Sequence, residues 1–118
     1  MIKQHLEFHP LDMSMGWTRP EGYPDGIDQK IICGSLDETG RTGSRTRLLR
    51  FKPGAFTTLP FEHEYWEEVF LLSGKLIVKG EPFTGMTYAC RPPHVPHGPF
   101  ATDEGCLLLE THFFDKLK

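Results

Sequence analysis

Two short segments carry side chains able to do chemistry. Phe61-Glu62-His63-Glu64-Tyr65-Trp66-Glu67-Glu68 leads into an apolar run that stops at Ser73-Gly74, and Pro92-Pro93-His94-Val95-Pro96-His97-Gly98 follows about thirty residues later. Imidazole and carboxylate at close spacing, with further imidazoles on a separate Pro/Gly-punctuated segment, is what a folded site for a divalent metal needs. A first-row ion held by such donors does oxygen or Lewis-acid chemistry. One strand and one turn must bring the donors together.

The strand is expected at Trp66–Leu72. Glu67, Val69 and Leu71 share one face, and Trp66, Glu68, Phe70 and Leu72 share the other. Both faces are largely apolar, which predicts cover on both sides. A carboxylate at the head of such a strand must be paired or must ligate something, because an isolated buried charge costs several kcal/mol or more.

Twelve glycines and ten prolines cut the chain into apolar pieces of strand length. These run over 29–33, 45–52, 67–72, 75–79, 86–91 and 106–114, each bounded by turn residues. Val69 to Val78 reads as a β-hairpin turning at Ser73-Gly74. Leu36 to Gly43 is polar and reads as a turn or exposed loop. No helical stripe exceeds about two turns. Many short strands at this turn density predict an all-β sandwich or barrel. Residues 1–28 lack periodicity and read as an arm with a possible short strand, wrapping the domain or touching a partner subunit; residues 29–118 form the barrel.

Two motif readings compete for His63-Glu64-Tyr65-Trp66-Glu67. A zinc-protease His-Glu-x-x-His motif, with Glu67 in place of the second histidine, requires a helix, so that positions i and i+4 share a face. The β-pattern downstream argues against it. The alternative is carried by Gly54, Phe61-x-His63, three residues, Glu67, six residues and Gly74, and then by Gly85, Pro92-Pro93-His94, two residues and His97. This pattern resembles the two motifs of the cupin superfamily, over Pro53 to Gly98. The Glu67-Glu68 doublet before an apolar strand ending in Ser73-Gly74 is most similar to the ChrR C-terminal type, which also embraces small dioxygenase-like cupins.

The resemblance implies a double-stranded β-helix, or jelly-roll barrel, with His63, Glu67 and His97 as metal ligands and catalytic residues. Two positions depart from the pattern. Phe61 stands where the first ligand histidine is expected, and His94 stands where glycine is usual. With three ligands the site is open and suits Fe(II) and O₂; if His94 joins, a closed site suits zinc. Iron, zinc, manganese and nickel all remain candidates, with iron favoured for the open site. Phe56, Phe61, Tyr65 and Phe70 are the expected pocket lining, predicting an apolar or aromatic small-molecule guest. Phe61 is expected to fill the space of the absent imidazole. The resemblance thus implies a metal-dependent oxygenase. The alternatives are a non-catalytic cupin that senses or binds a metal or small ligand, and a metal-free cupin using His63 and Glu67 as an acid–base pair. Cupins of this size commonly pair, so a homodimer is expected. Taken singly, each residue also has a plainer role open to it: His63 on a barrel rim, Glu67 paired with an arginine, His97 capping a turn, His94 on a surface loop.

Composition bounds the rest. The chain has 118 residues, 38% hydrophobic and 25% charged, enough for one globular domain with a core. A net charge of −3 argues against a nucleic-acid partner. Arg41, Arg45, Arg47 and Arg50 form a local basic cluster, read as a solvated strand face. No run approaches the roughly 18 apolar residues of a membrane span, and no signal-peptide core is present, so the default expectation is cytoplasmic. Cys33, Cys90 and Cys106 are odd in number and widely spaced, and read as buried free thiols in a reducing compartment. There is no Gly-x-Gly-x-x-Gly, P-loop or Gly-x-Ser-x-Gly motif.

Overall fold

The computed structural model describes residues 3–115. Among these residues there is no helix, and seven strands form an antiparallel, cupin-type fold: β1 (Ile27–Asp37), β2 (Thr42–Phe51), β3 (Trp66–Val78), β4 (Glu81–Thr84), β5 (Thr87–Arg91), β6 (Phe100–Ala101) and β7 (Cys106–Phe113). The order is β1-β2-β7-β3-β4, with β5 and β6 also paired to β3.

β3 organises the fold by serving both halves of it. Its first part, Glu67–Leu71, lies between β7 and β5; its second part, Lys75–Val78, pairs with β4, and Ile77 and Val78 also face β6. The hairpin expected over Val69–Val78 is therefore one continuous strand. Its register with β7 shifts between Leu71 and Ser73, and Gly74 has φ +83°. A side chain at Gly74 would run into the Gly105 carbonyl oxygen of the neighbouring strand end. A bulge with a left-handed glycine thus bends the strand from one sheet into the other.

The interior follows from period-two alternation in three neighbouring strands. β2 points Arg47, Leu49 and Phe51 inward, β3 points Glu67, Val69 and Leu71, and β7 points Cys106, Leu108, Glu110 and His112. Register then sorts them by chemistry. Leu49 faces Leu108 and Phe51 faces Cys106, whereas Arg47 faces Glu110 and Glu67 faces His112. One end of the barrel is a dry cluster of Ile27, Leu49, Phe51, Val69, Leu71, Leu76 and Leu108. Each such side chain contributes about 1.5–3 kcal/mol on burial. The other end is a buried polar layer.

Three expectations are corrected here. The outer face of β3 is not fully covered: Phe70 is exposed and packs against Tyr88 of β5, ring centroids 4.8 Å apart. The basic cluster is not one solvated face. Arg41 and Arg50 point out, Arg47 is 3% exposed, and Arg45 is half-buried. Of the three free thiols, only Cys106 is buried; Cys90 is exposed and Cys33 intermediate.

The N-terminal segment lies along its own sheet. Thr18 exchanges backbone hydrogen bonds of 2.9 and 2.7 Å with Gln29, and the Arg50 guanidinium stacks 3.8 Å over the Trp17 ring. From this segment Tyr23 packs against the core and stacks on Phe61 at 4.7 Å. No described helix is long and apolar enough to cross a membrane.

Candidate metal centre

Phe61 and His97 exchange backbone hydrogen bonds of 2.8 and 2.9 Å, and the His94 amide donates to the His63 carbonyl at 2.8 Å. These bonds zip the two histidine-bearing segments together. Glu67 enters from the first inward position of β3. The result is a group in which ligand atoms of His63, Glu67 and His97 all lie within 4.8 Å of one another.

The donor chemistry of this group suits a cation. His97 Nδ1 lies 3.2 Å from the Val95 carbonyl, which can only accept, so Nδ1 carries the proton. The other ring nitrogen, Nε2, faces Glu67 Oε1 at 3.5 Å. His63 Nε2 is buried with no hydrogen-bond partner among the described residues. Its ring stacks on Tyr65, centroids 4.6 Å apart and 8° between planes. Burial lowers the His63 pKa to about 4, outweighing the attraction of the Glu67 carboxylate, so the imidazole is neutral at pH 7. An orphaned buried nitrogen, a second imidazole nitrogen and a carboxylate oxygen thus lie within 4.8 Å of one another. A small interior cavity of about 30 Å³, roughly the space of one water, adjoins Glu67, Arg91, His97 and Glu110. The residues present fit a divalent metal.

Behind the triad lies a second group, Glu67, Glu110 and His112, which does not fit one. Arg45 directs Nε and Nη2 at His112 Nδ1, at 3.2 and 2.8 Å. A guanidinium only donates, so Nδ1 is the acceptor and Nε2 carries hydrogen. That Nε2–H lies 2.9 Å from Glu67 Oε2. Arg91 Nη1 donates to Glu67 Oε1 at 3.0 Å. Arg47 Nε donates to Glu110 Oε1 at 2.8 Å, while its Nη1 reaches Gln29 and its Nη2 the Tyr23 hydroxyl. Burial alone would raise the Glu110 pKa; Arg47 and His112 override it and hold the carboxyl well below the usual range. Burial raises the Tyr23 phenol to about 12 and pushes Tyr65 higher still, so both hydroxyls keep their protons. The second group is a hydrogen-bonded frame that fixes the orientation of Glu67.

The remaining sequence candidates divide. His94 is not brought to the cluster. It sits at φ +70° with an exposed side chain, its Nδ1 3.7 Å from Glu62 and 3.5 Å from Glu64. Phe61 stands beside the triad, its ring 6.1 Å from that of His97 and 6.4 Å from that of His63. An open groove of about 1060 Å³ is lined by Phe56, Phe61, His63 and Tyr65, together with Tyr23 and Arg45. Phe70 is not part of it; the β3 pleat turns its ring to the outer face. Sequence reasoning missed His112, Glu110, Arg45, Arg47, Arg91 and Tyr23. A period-two reading of Cys106-x-Leu108-x-Glu110-x-His112 and of Arg45-x-Arg47-x-Leu49-x-Phe51 would have found four of them.

Residues 13–113 match the model of the ChrR cupin-like domain. The chain belongs to the ChrR cupin-like family. No curated protein sequence matches it. Among solved structures, an acetylacetone dioxygenase from Acinetobacter johnsonii is similar with a TM-score of 0.68 at 18% identity, covering 94% of this chain and 75% of that one. KdgF from Halomonas sp. gives 0.65 at 20%, covering 90% and 92%. The complex of Rhodobacter sphaeroides SigE with the anti-sigma ChrR gives 0.63 at 20%, covering 87% of this cupin and 51% of the matched chain. At these identities the likeness is one of fold.

Proposed function

We propose that this cupin holds one divalent cation on His63, Glu67 and His97 and acts as a metal-dependent oxygenase on an apolar or aromatic small molecule. The observation that carries the reading is His63 Nε2, buried and without a partner among the described residues, beside a second imidazole nitrogen and a carboxylate. Leaving such an atom unsatisfied costs about 1–3 kcal/mol. A bound cation removes that cost.

His63, Glu67 and His97 would hold the ion, and two imidazoles with one carboxylate would leave a divalent ion net positive charge for Lewis-acid or redox chemistry. The chain's own residues do the rest. Arg91 and His112 fix both oxygens of Glu67. The Val95 carbonyl sets the His97 tautomer. Phe61, Tyr65 and Phe56 line the groove with aromatic surface suited to an apolar guest. Elemental analysis of untagged protein should find about one metal per chain. Oxygen uptake with iron and a panel of β-diketones and hydroxyaryl ketones tests the reaction. Bound metal without turnover across the panel would overturn the oxygenase.

The second reading is a non-catalytic cupin that reversibly binds a metal or small ligand. Phe61 in the first-imidazole position and Arg91 on the same Glu67 oxygen that faces His97 both support a weaker grip. A homodimer belongs to either reading; exposed Leu6, Phe8 and Met15 on the arm support it, and sedimentation tests it.

A further inference from the structure

The six arginines of this chain separate cleanly by partner. Arg19 pairs with Asp25, Arg41 with Glu64, Arg47 with Glu110, Arg50 with Asp28 and Arg91 with Glu67. Arg45 alone has no carboxylate partner among the described residues. Its Nε and Nη2 are directed at an uncharged imidazole nitrogen of His112, and Nη1 has no hydrogen-bond partner among those residues. Yet Arg45 is half-buried, lines the same groove as His63 and Phe61, and has its Cζ 5.9 Å from the centre of the Tyr65 ring. The acids on the groove wall do not satisfy it. Asp25 is bonded to Arg19, and Glu21 and Glu38 are exposed at the rim, where water screens them.

We infer that Arg45 is the anion-recognition residue of this groove and that its guest is a small organic acid, its carboxylate on Arg45 and its apolar or aromatic body against Phe61 and Tyr65. This rests on the groove being the substrate site of the function proposed above. The physical reason is asymmetry of charge. A partly desolvated guanidinium without a counter-ion gains a charge-assisted, two-pronged contact when a carboxylate arrives. The contact with His112 holds the guanidinium plane in place beforehand, so little side-chain freedom is lost on binding.

Phenylacetate and phenylacetamide are suitable probes, since they share shape and differ in charge. Calorimetry on the intact protein should show phenylacetate binding roughly ten- to a hundredfold more tightly than the amide. In Arg45→Met the ratio should fall to near one; in Arg45→Lys part of it should survive, because the charge remains without the planar fork. A merely structural role for Arg45 would weaken both probes alike and leave the ratio unchanged. Should Arg45→Met fail to fold, the Arg45 Nε–H resonance of the wild-type protein must shift with phenylacetate and not with the amide. Equal affinities, no binding of either probe, a ratio that persists in Arg45→Met, or an unmoved resonance overturns the inference. Each titration is run on chelator-stripped and metal-reloaded protein, with metal content measured alongside. A preserved ratio without metal uptake sinks the metal site and leaves Arg45 standing; full uptake with no ratio does the reverse.

Discussion

Replacing His63 with leucine tests the site from two directions at once. In the metal-free protein the buried Nε2 has no partner among the described residues, so removing it should recover about 1–3 kcal/mol. Against this stands the loss of the parallel stack on Tyr65, worth about 0.5–1.5 kcal/mol. The net expectation is a metal-free His63→Leu protein as stable as the parent, or about 1 kcal/mol more so. Substitutions at half-buried polar sites usually destabilise, so the sign itself is informative. The parent should respond to a divalent cation and the variant should not. At a hundredfold excess over Kd, binding adds about 2.7 kcal/mol, and at about 4 °C per kcal/mol for a domain of this size Tm should rise by roughly 10 °C. A third signature lies in pH. The His63 pKa is lowered from 6.5 to about 4. Between those values the unfolded chain takes a proton that the folded chain refuses, so metal-free stability falls as pH drops from 6.5 and levels off below 4. His63→Leu should remove that slope. Urea melts at pH 4 to 7, with and without nickel or zinc, give all three readouts. A variant clearly less stable than its parent and still stabilised by the ion would refute the role assigned to His63.

Arg47→Met should cost about 3–5 kcal/mol in urea melts, because Glu110 is left charged and buried; the double variant Arg47→Met, Glu110→Leu should cost less than the single one. Gly74→Ala should destabilise by at least about 1–2 kcal/mol, since the residue sits at φ +83° against the Gly105 carbonyl, and a silent substitution would mean the strand bend is not where it is described. Phe61→His, which returns an imidazole next to the triad, should tighten nickel or zinc binding by about tenfold or more, or 1.4 kcal/mol by calorimetry, and an unchanged affinity would place that ring out of reach of the ion. Glu67→Gln should abolish metal retention while Glu68→Gln, on the outer face against the Tyr88 hydroxyl, should leave it intact.

The proximity of His63, Glu67 and His97 was legible because its signal is local. His63 and Glu67 lie four positions apart where a loop becomes a strand, and His97 sits in a turn whose prolines and glycine announce it. The supporting frame was not legible for a reason of scale. Arg47 meets Glu110 only after β2 and β7 pair in one register, 63 residues apart in sequence. In β7 the run Leu107-Leu108-Leu109 also hides the alternation that turns Glu110 and His112 inward. Arg45 and Arg47 were masked in the same way, since four arginines within ten residues look like a wet surface until the pleat divides them. Ser73-Gly74 misled for a different reason. A tight turn and a bulge both call for a glycine at positive φ, so residue type alone does not separate a hairpin from one bent strand. Tyr23 comes from a segment with no period to read.

Satisfaction, rather than burial, separates the proposed binding residues of this barrel from the framing ones. Arg47, Glu110, His112 and Glu67 are all at most 5% exposed, yet each is held by donors or acceptors of the protein itself. Such a frame is expensive to bury and gains little by binding anything further. His63 and Arg45 are only half-buried, and each has a polar atom without a partner among the described residues: Nε2 in one, an N–H group at Nη1 in the other. Both line the same groove, and on the roles proposed above one would be a donor for a cation and the other a cation for an anion. A guest that brings a carboxylate to Arg45 and oxygen atoms toward an ion on His63 satisfies both at once, which neither a metal alone nor a neutral hydrocarbon can do.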